Sequence, residues 1–199
     1  DAPADFQRLA PSFTVSLQPW QEQLLFLRLM YKSTFRMPTF NDLYYYRLGN
    51  RSLRPEKANE YNMGITWSRS FSSFLNYLSV TVDGYYNDVT DKIVAFPTTY
   101  AWKMANYGKV HVTGMDATLA AAPSLGKNTV LVVSGGYTWQ KAIDLTDATS
   151  KSYKDQLPYT PKHSGNVSAV LEMPWVNVGY SIVGVSERYS MSQNIPENR

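Results

Sequence analysis

The sequence predicts an all-β protein, an antiparallel up-and-down transmembrane β-barrel sheet of about eight strands. Three observations predict it. Apolar and polar residues alternate with a period of two along segment after segment, and several segments run to about 12 residues, beyond the globular mode of about 5–6. The connections alternate between short and long, as in barrels with tight turns at one end and loops at the other. Aromatic residues collect near both ends of the segments, where amphipathic rings suit a bilayer's two interfaces.

The elements follow in order. Residues 12–17 set Phe13, Val15 and Leu17 against Ser12, Thr14 and Ser16. Residues 24–32 set Leu25, Leu27, Leu29 and Tyr31 opposite a mixed face with Arg28 and Lys32. Residues 59–68 set Tyr61, Met63, Ile65 and Trp67 against Glu60, Asn62, Gly64, Thr66 and Ser68. From Tyr77 to Asp88, Leu78, Val80, Val82 and Tyr86 oppose Ser79, Thr81, Asp83, Tyr85 and Asn87. In 109–121 the apolar set changes parity, from Val110 and Val112 to Met115, Ala117, Leu119 and Ala121. A bulge at Gly114 is expected to restore one apolar face and leave Asp116 on the polar side. Residues 129–140, 163–173 and 176–187 complete the set with Leu131, Val133, Tyr137 and Trp139, then Val167, Ala169 and Leu171, then Val176, Val178, Tyr180 and Ile182. No helix is expected.

Short turns are expected around Pro19-Trp20, Ser70 to Ser73, Pro123 to Gly126 and Pro174-Trp175, and long loops over 33–57, 90–106 and 141–162. Trp67, Phe71, Phe74, Tyr77 and Trp175 then lie at the short-turn ends. Tyr31, Phe35, Tyr86, Tyr137, Trp139 and Tyr189 lie toward the loops. Of these, Trp67, Phe71, Phe74, Tyr77, Tyr137, Trp139 and Trp175 are expected at the membrane interfaces.

Composition agrees. Charged residues are 18% of the 199, below the roughly 25% usual in soluble domains, and aromatics are 14%. So aromatic a chain is not a disordered tail, and no apolar run approaches the ~18 residues of a membrane helix. There is no Cys, so disulfides, thiolate zinc sites and Cys nucleophiles are excluded. Net charge is +3 with no basic stripe, which argues against nucleic acid. Asp1-Ala2-Pro3-Ala4-Asp5 is no signal peptide. The two histidines, His111 and His163, lie in no nucleophile-bearing motif and have no metal-ligand spacing. Asp88 and Asp91 read as a solvated strand end. No enzyme activity, metal or cofactor is expected. Following strand direction, both ends of the sequence fall on the long-loop side and the tail from Ser190 is polar. A partial barrel is therefore expected over 1–199.

The most specific stretch runs from Tyr31 to Gly64. Phe35-Arg36, Pro38, Asn41-Asp42-Leu43-Tyr44, Gly49-Asn50, Leu53-Arg54-Pro55-Glu56, Glu60 and Gly64 follow one another there. Downstream come Gly84 to Ile93, then Asn106 to Val110 and Gly114 to Ala117, then Leu157-Pro158-Tyr159-Thr160-Pro161. In order and spacing this resembles the barrel of TonB-dependent outer-membrane receptors over about 30–190, with Arg51 where that family often has Pro. The resemblance implies eight strands near the C-terminal end of a barrel of about 22. The plug domain, the energy-coupling segment and the final strands are not in these residues.

It also implies active uptake of a scarce ligand (siderophore, haem, cobalamin or glycan class) across the bacterial outer membrane. The expected partners are the TonB complex, acting through the plug and N-terminal region, outer-membrane lipid and lipopolysaccharide, and the transported small ligand. Aromatic and Arg side chains of the outer loops suit an anionic or aromatic ligand. Arg36, Tyr44, Tyr45, Tyr46, Arg47, Arg51, Tyr100 and Trp102 are the candidate contacts, with Arg54 and Phe96 nearby. The alternatives are a passive porin or adhesin barrel, which would conduct ions, and a soluble β-sandwich binding glycans, which would need no detergent.

Overall fold

The computed structural model describes residues 8–20, 24–71, 74–97, 101–126 and 128–198, with backbone only at 96, 97 and 198. Eight strands form one antiparallel meander in chain order. They are β1 (Ser12–Leu17), β2 (Leu24–Arg36), β3 (Glu56–Ser70), β4 (Leu75–Pro97), β5 (Trp102–Gly126), β6 (Thr129–Asp144), β7 (His163–Glu172) and β8 (Asn177–Val185). A five-residue helix, α1 (Phe40–Tyr44), sits in the connection between β2 and β3. A 3-10 turn (Pro196–Asn198) lies in the tail. Among the described residues β1 and β8 do not pair, so the sheet is open.

Register explains the two faces. Leu25, Trp67, Val80, Leu119, Gly135, Val167 and Ile182 form one rung across seven strands. Side chains alternate faces along a strand, so this rung and its neighbours two residues away make one apolar face. Met63, Val178, Tyr180 and Ile182 on it are exposed. The adjacent rung reads Ser68, Ser79, Ala120, Ser134, Ser168 and Ser181. The second face is polar and small, with hydroxyl pairs Ser68–Ser79 at 2.8 Å and Thr66–Thr81 at 3.1 Å. Arg28, Gly64 and Asp83 share another polar rung, and Arg28 Nη2 donates to Asp83 Oδ1 at 2.9 Å across the glycine. A Cβ on Gly64 would fall within the Asp83 carboxylate.

Three sequence expectations are corrected. No bulge occurs at Gly114, where the register runs unbroken through Tyr86–Thr113, Tyr85–Gly114 and Gly84–Met115. The parity change is real: Val110 and Val112 lie on the polar face because Leu157, from the connection after β6, covers them there. With Val89 and Ala142 they form a small core near the loop end of the sheet. Gly114 instead makes room for Tyr85, whose phenol end would overlap a Cβ at that position.

Second, residues 90–106 are mostly hairpin and not loop. Pairing of β4 with β5 continues to Pro97–Trp102, because Ile93, Val94 and Ala95 keep a ladder with Asn106, Ala105 and Met104. Third, β5 runs through Pro123 to Gly126, and the register shift between Leu75 and Leu78 stands opposite that proline, which has no N–H to donate. The short helix α1 also stands among the described residues where no helix is expected.

Candidate functional site

The long connections at one end of the sheet fold into one cluster. In residues 37–55, Thr39 caps α1: its Oγ1 accepts from Asp42 N at 3.2 Å, and Asp42 Oδ2 accepts from Thr39 N at 2.9 Å. This reciprocal capping box satisfies two otherwise orphan donors. Burial alone would raise the Asp42 pKa, but the Thr39 hydrogen bonds and the Arg36 guanidinium outweigh it and hold the carboxyl below its ordinary 3.8. Gly49 passes so close to α1 that a Cβ would meet Leu43 and Tyr45 backbone atoms at 2.7 Å. Only glycine fits there.

Two asparagines clasp this loop to the β4–β5 hairpin. Asn50 Nδ2 donates to Met104 O at 3.1 Å, beside a backbone bond from Met104 N to Leu48 O at 2.9 Å. Asn106 acts like a piece of paired strand: its Oδ1 accepts from Arg54 N at 2.8 Å, and its Nδ2 donates to Arg54 O at 3.0 Å and to Asp91 O at 2.6 Å. Arg54 pairs with Asp91 at 2.6 Å. Asp91 has φ 55, in the left-handed region. Glu56 accepts from Ile93 N at 3.0 Å.

The third connection folds back along β6. Leu157 N donates to Ala142 O at 2.8 Å, and the Gln156 side chain accepts from Ala142 N at 3.1 Å, standing in for a strand partner. The Tyr159 ring packs tilted against Trp102 with centroids 5.3 Å apart, which ties this segment to the hairpin.

The candidate contacts separate on this geometry. Arg36 braces the loop base, bound to Asp42 at 3.0 Å and near Glu56 at 3.9 Å. Tyr44, Tyr45 and Tyr46 are 49%, 60% and 78% exposed. Arg51 lies over the Tyr44 ring at 5.0 Å and Arg47 over Tyr46 at 5.2 Å. Trp102 is exposed on the neighbouring hairpin. Tyr100, and the side chain of Phe96, lie outside the described residues. Sequence reasoning missed Phe40, which packs on Tyr44 at 4.9 Å, and Tyr159. Phe40 lies one residue from a matched motif, which was the signal available.

The aromatics expected at the interfaces fall on both faces of the sheet. Phe13, Tyr31, Tyr61 and Tyr86 form one rung toward the loops, with ring centroids 5.2 Å apart for Tyr31–Tyr61 and 6.2 Å for Tyr61–Tyr86. Tyr137 and Trp139 lie on the same face by parity, and the Tyr137 hydroxyl meets His163 Nδ1 at 2.7 Å. Trp67 sits toward the short turns on that face. Phe71, Phe74 and Trp175 are exposed at those turns. Register pairs Tyr77 with Ser70, on the polar face.

Two comparisons bear on this architecture. The description "TonB dependent receptor-like, beta-barrel" matches residues 1–198. The chain belongs to that family. It is a family of receptor barrels. This receptor barrel is also similar to "Vitamin B12 transporter BtuB" of Vibrio vulnificus, with 32% identity over 84 residues, 41% of this chain and 13% of that protein. It is similar to the protein of the same name from Photobacterium profundum, with 26% identity over 160 residues, 76% of this chain and 23% of that protein. The chain thus spans less than a quarter of the length of either relative.

Proposed function

We propose that this chain is part of an outer-membrane receptor that captures a corrinoid of the vitamin B12 class at the cell surface and imports it with TonB energy. The exposed Tyr44–Tyr46 and Arg51 cluster, held rigid by α1 and the asparagine clasps, is the observation that carries the binding role. Flat rings and a guanidinium suit a large, partly planar ligand bearing polar side groups. The names of the two relatives support the ligand class.

The apolar face is read as the lipid-facing one. Tyr61 and Phe71 lie ten residues apart along the chain. At a rise of about 3.3 Å and a tilt of about 40° they stand roughly 25 Å apart along the bilayer normal, the height of an outer-membrane apolar band. A spanning sheet leaves no open edge, so further strands of the receptor are expected to pair β1 and β8. Residues 1–199 are read as one portion of that barrel, with the plug elsewhere in the receptor.

The test is uptake of labelled cyanocobalamin by cells lacking their own corrinoid receptor and expressing the intact protein. Binding at the surface and TonB-dependent import are expected. Binding of a ferric siderophore with no cobalamin binding would refute the ligand class. Import unchanged without TonB, or steady ion conductance in a planar bilayer, would refute the mechanism in favour of a passive pore.

A further inference from the structure

We propose that a cleft at the loop end of β7 and β8 binds a phosphate group of the transported ligand, with Lys162 and Arg188 as its cations. This rests on the corrinoid reading above and deepens it by one subsite.

The cleft forms where a ladder opens and closes again. β7 and β8 pair as far as Ser164–Val185. Ser186 N still donates to His163 O at 2.8 Å, but His163 N donates to the Ser186 hydroxyl, at 3.1 Å, and not to backbone. Pro161 then has no N–H to offer. The two segments meet again at Tyr159, whose N–H donates to Tyr189 O at 2.7 Å. Between these closures lies an opening of about 280 Å³. Buried Gln156 also lines it and donates to Thr160 O at 3.3 Å, which fixes the near segment.

Two cations stand in it. Lys162 and Arg188 line the opening from its two segments, and both are exposed. Neither makes an ion pair among the described residues. Glu187 is the one carboxylate among the described lining residues, so basic side chains outnumber it two to one before His163 is counted. His163 Nδ1 is already engaged by the Tyr137 hydroxyl at 2.7 Å. Two like charges facing one cleft repel, and a shared anion relieves this.

Chemistry selects the anion. An Arg fork and a Lys point charge together suit phosphate oxygens. A corrinoid with its nucleotide arm carries one phosphodiester there, while its other side arms end in neutral amides. The opening has room for a phosphodiester and not for a whole macrocycle. Its place agrees. Tyr159, at its far end, packs against Trp102 on the β4–β5 hairpin. Asn50 clasps that same hairpin to the loop that carries Tyr44 and Arg51. The cleft and the proposed ring contacts thus belong to one connected rim.

The test is equilibrium binding to the intact receptor in detergent. The probes are cyanocobalamin and dicyanocobinamide, which keeps the corrin ring and lacks the phosphate and nucleotide. The parent should bind cyanocobalamin more tightly. Charge-assisted bonds at an exposed site contribute about three- to tenfold each, so the double variant Lys162→Gln, Arg188→Gln should bind cyanocobalamin ~10- to 100-fold more weakly and cobinamide within about twofold of the parent. Unchanged cobinamide binding also shows that the variant is folded. The double variant Lys162→Arg, Arg188→Lys keeps both charges and should keep the preference for cyanocobalamin. Equal binding of the two probes by the parent would show that the cations serve no phosphate of the ligand and would overturn the subsite alone. Equal loss of both probes in the double Gln variant would overturn it too. Binding of neither probe by the parent would refute the ligand class, and the subsite with it.

Discussion

Replacing Asn106 by Ala should loosen the ligand loop without harming the barrel. The side chain makes three hydrogen bonds, two to the Arg54 backbone and one to Asp91 O. Each such bond contributes about 1 kcal/mol net. Water reaches this part-buried site and recovers some of it, which leaves a loss of about 2–3 kcal/mol. At 1.4 kcal/mol per decade, local opening of residues 53–57 should become roughly 30- to 150-fold more frequent. Hydrogen exchange read by mass spectrometry on the intact receptor measures this at the Arg54 amide. Asn106→Asp keeps the acceptor for Arg54 N and loses both donated bonds, so it should fall between parent and Ala. The strand amides of β3 below Glu60 should exchange as before. Protection at Arg54 within twofold of the parent in the Ala variant would refute the idea that Asn106 holds the loop.

Other outcomes follow from the same geometry. Gly114→Val should cost about 1–3 kcal/mol by overpacking against the Tyr85 ring; Tyr85→Ala should relieve most of that cost in a double-mutant cycle of unfolding in detergent. Val110→Ala, in the core beneath Leu157, should cost about 2 kcal/mol, and Val178→Ala on the exposed apolar face should cost less than about half as much in the same assay. The depressed Asp42 pKa makes the α1 cap a source of stability that is complete above pH 3.8 and is lost as pH falls through the lower folded value. Exchange at residues 39–44 should therefore be steady at pH 5 and rise below the ordinary carboxylate value, after correction for the intrinsic rate, whereas Asp42→Ala should exchange fast at both. Tyr44→Ala and Arg51→Ala should each weaken corrinoid binding about 5- to 30-fold, in the range of a lost aromatic or cation–π contact, as read by equilibrium binding to whole cells.

The strands were legible because one face must be apolar from end to end, and a period of two shows that directly. Legibility failed where a distant segment decides which face is buried. Val110 and Val112 look like outward residues displaced by a bulge until Leu157, more than forty positions later, is seen covering them. The rim hairpin differs for a similar reason: residues 90–106 read as a long loop, yet they lie within a ladder that continues to Pro97–Trp102. At the candidate site the identities of the motif residues were legible and their work was not. Asp42, Asn50, Arg54 and Glu56 build and fasten the loop through partners as distant as 54 positions in sequence. The exposed tyrosines proposed for a ligand belong to the same stretch, and no local pattern separates the two roles.

The connection after β6 is closed at its base. Asp144 N donates to Asp155 O at 3.0 Å and Lys154 N to Asp144 O at 2.7 Å, while Gln156 and Leu157 lock onto Ala142 just below. Thr146 is still anchored to β5, its hydroxyl accepting from Lys109 N at 3.2 Å, and residues 147–153 beyond it form the tip. Their length and composition can change without shifting β7 against β6, because the register is set beneath the closure. The tip can therefore vary in sequence and length while the sheet beneath it keeps its pairing.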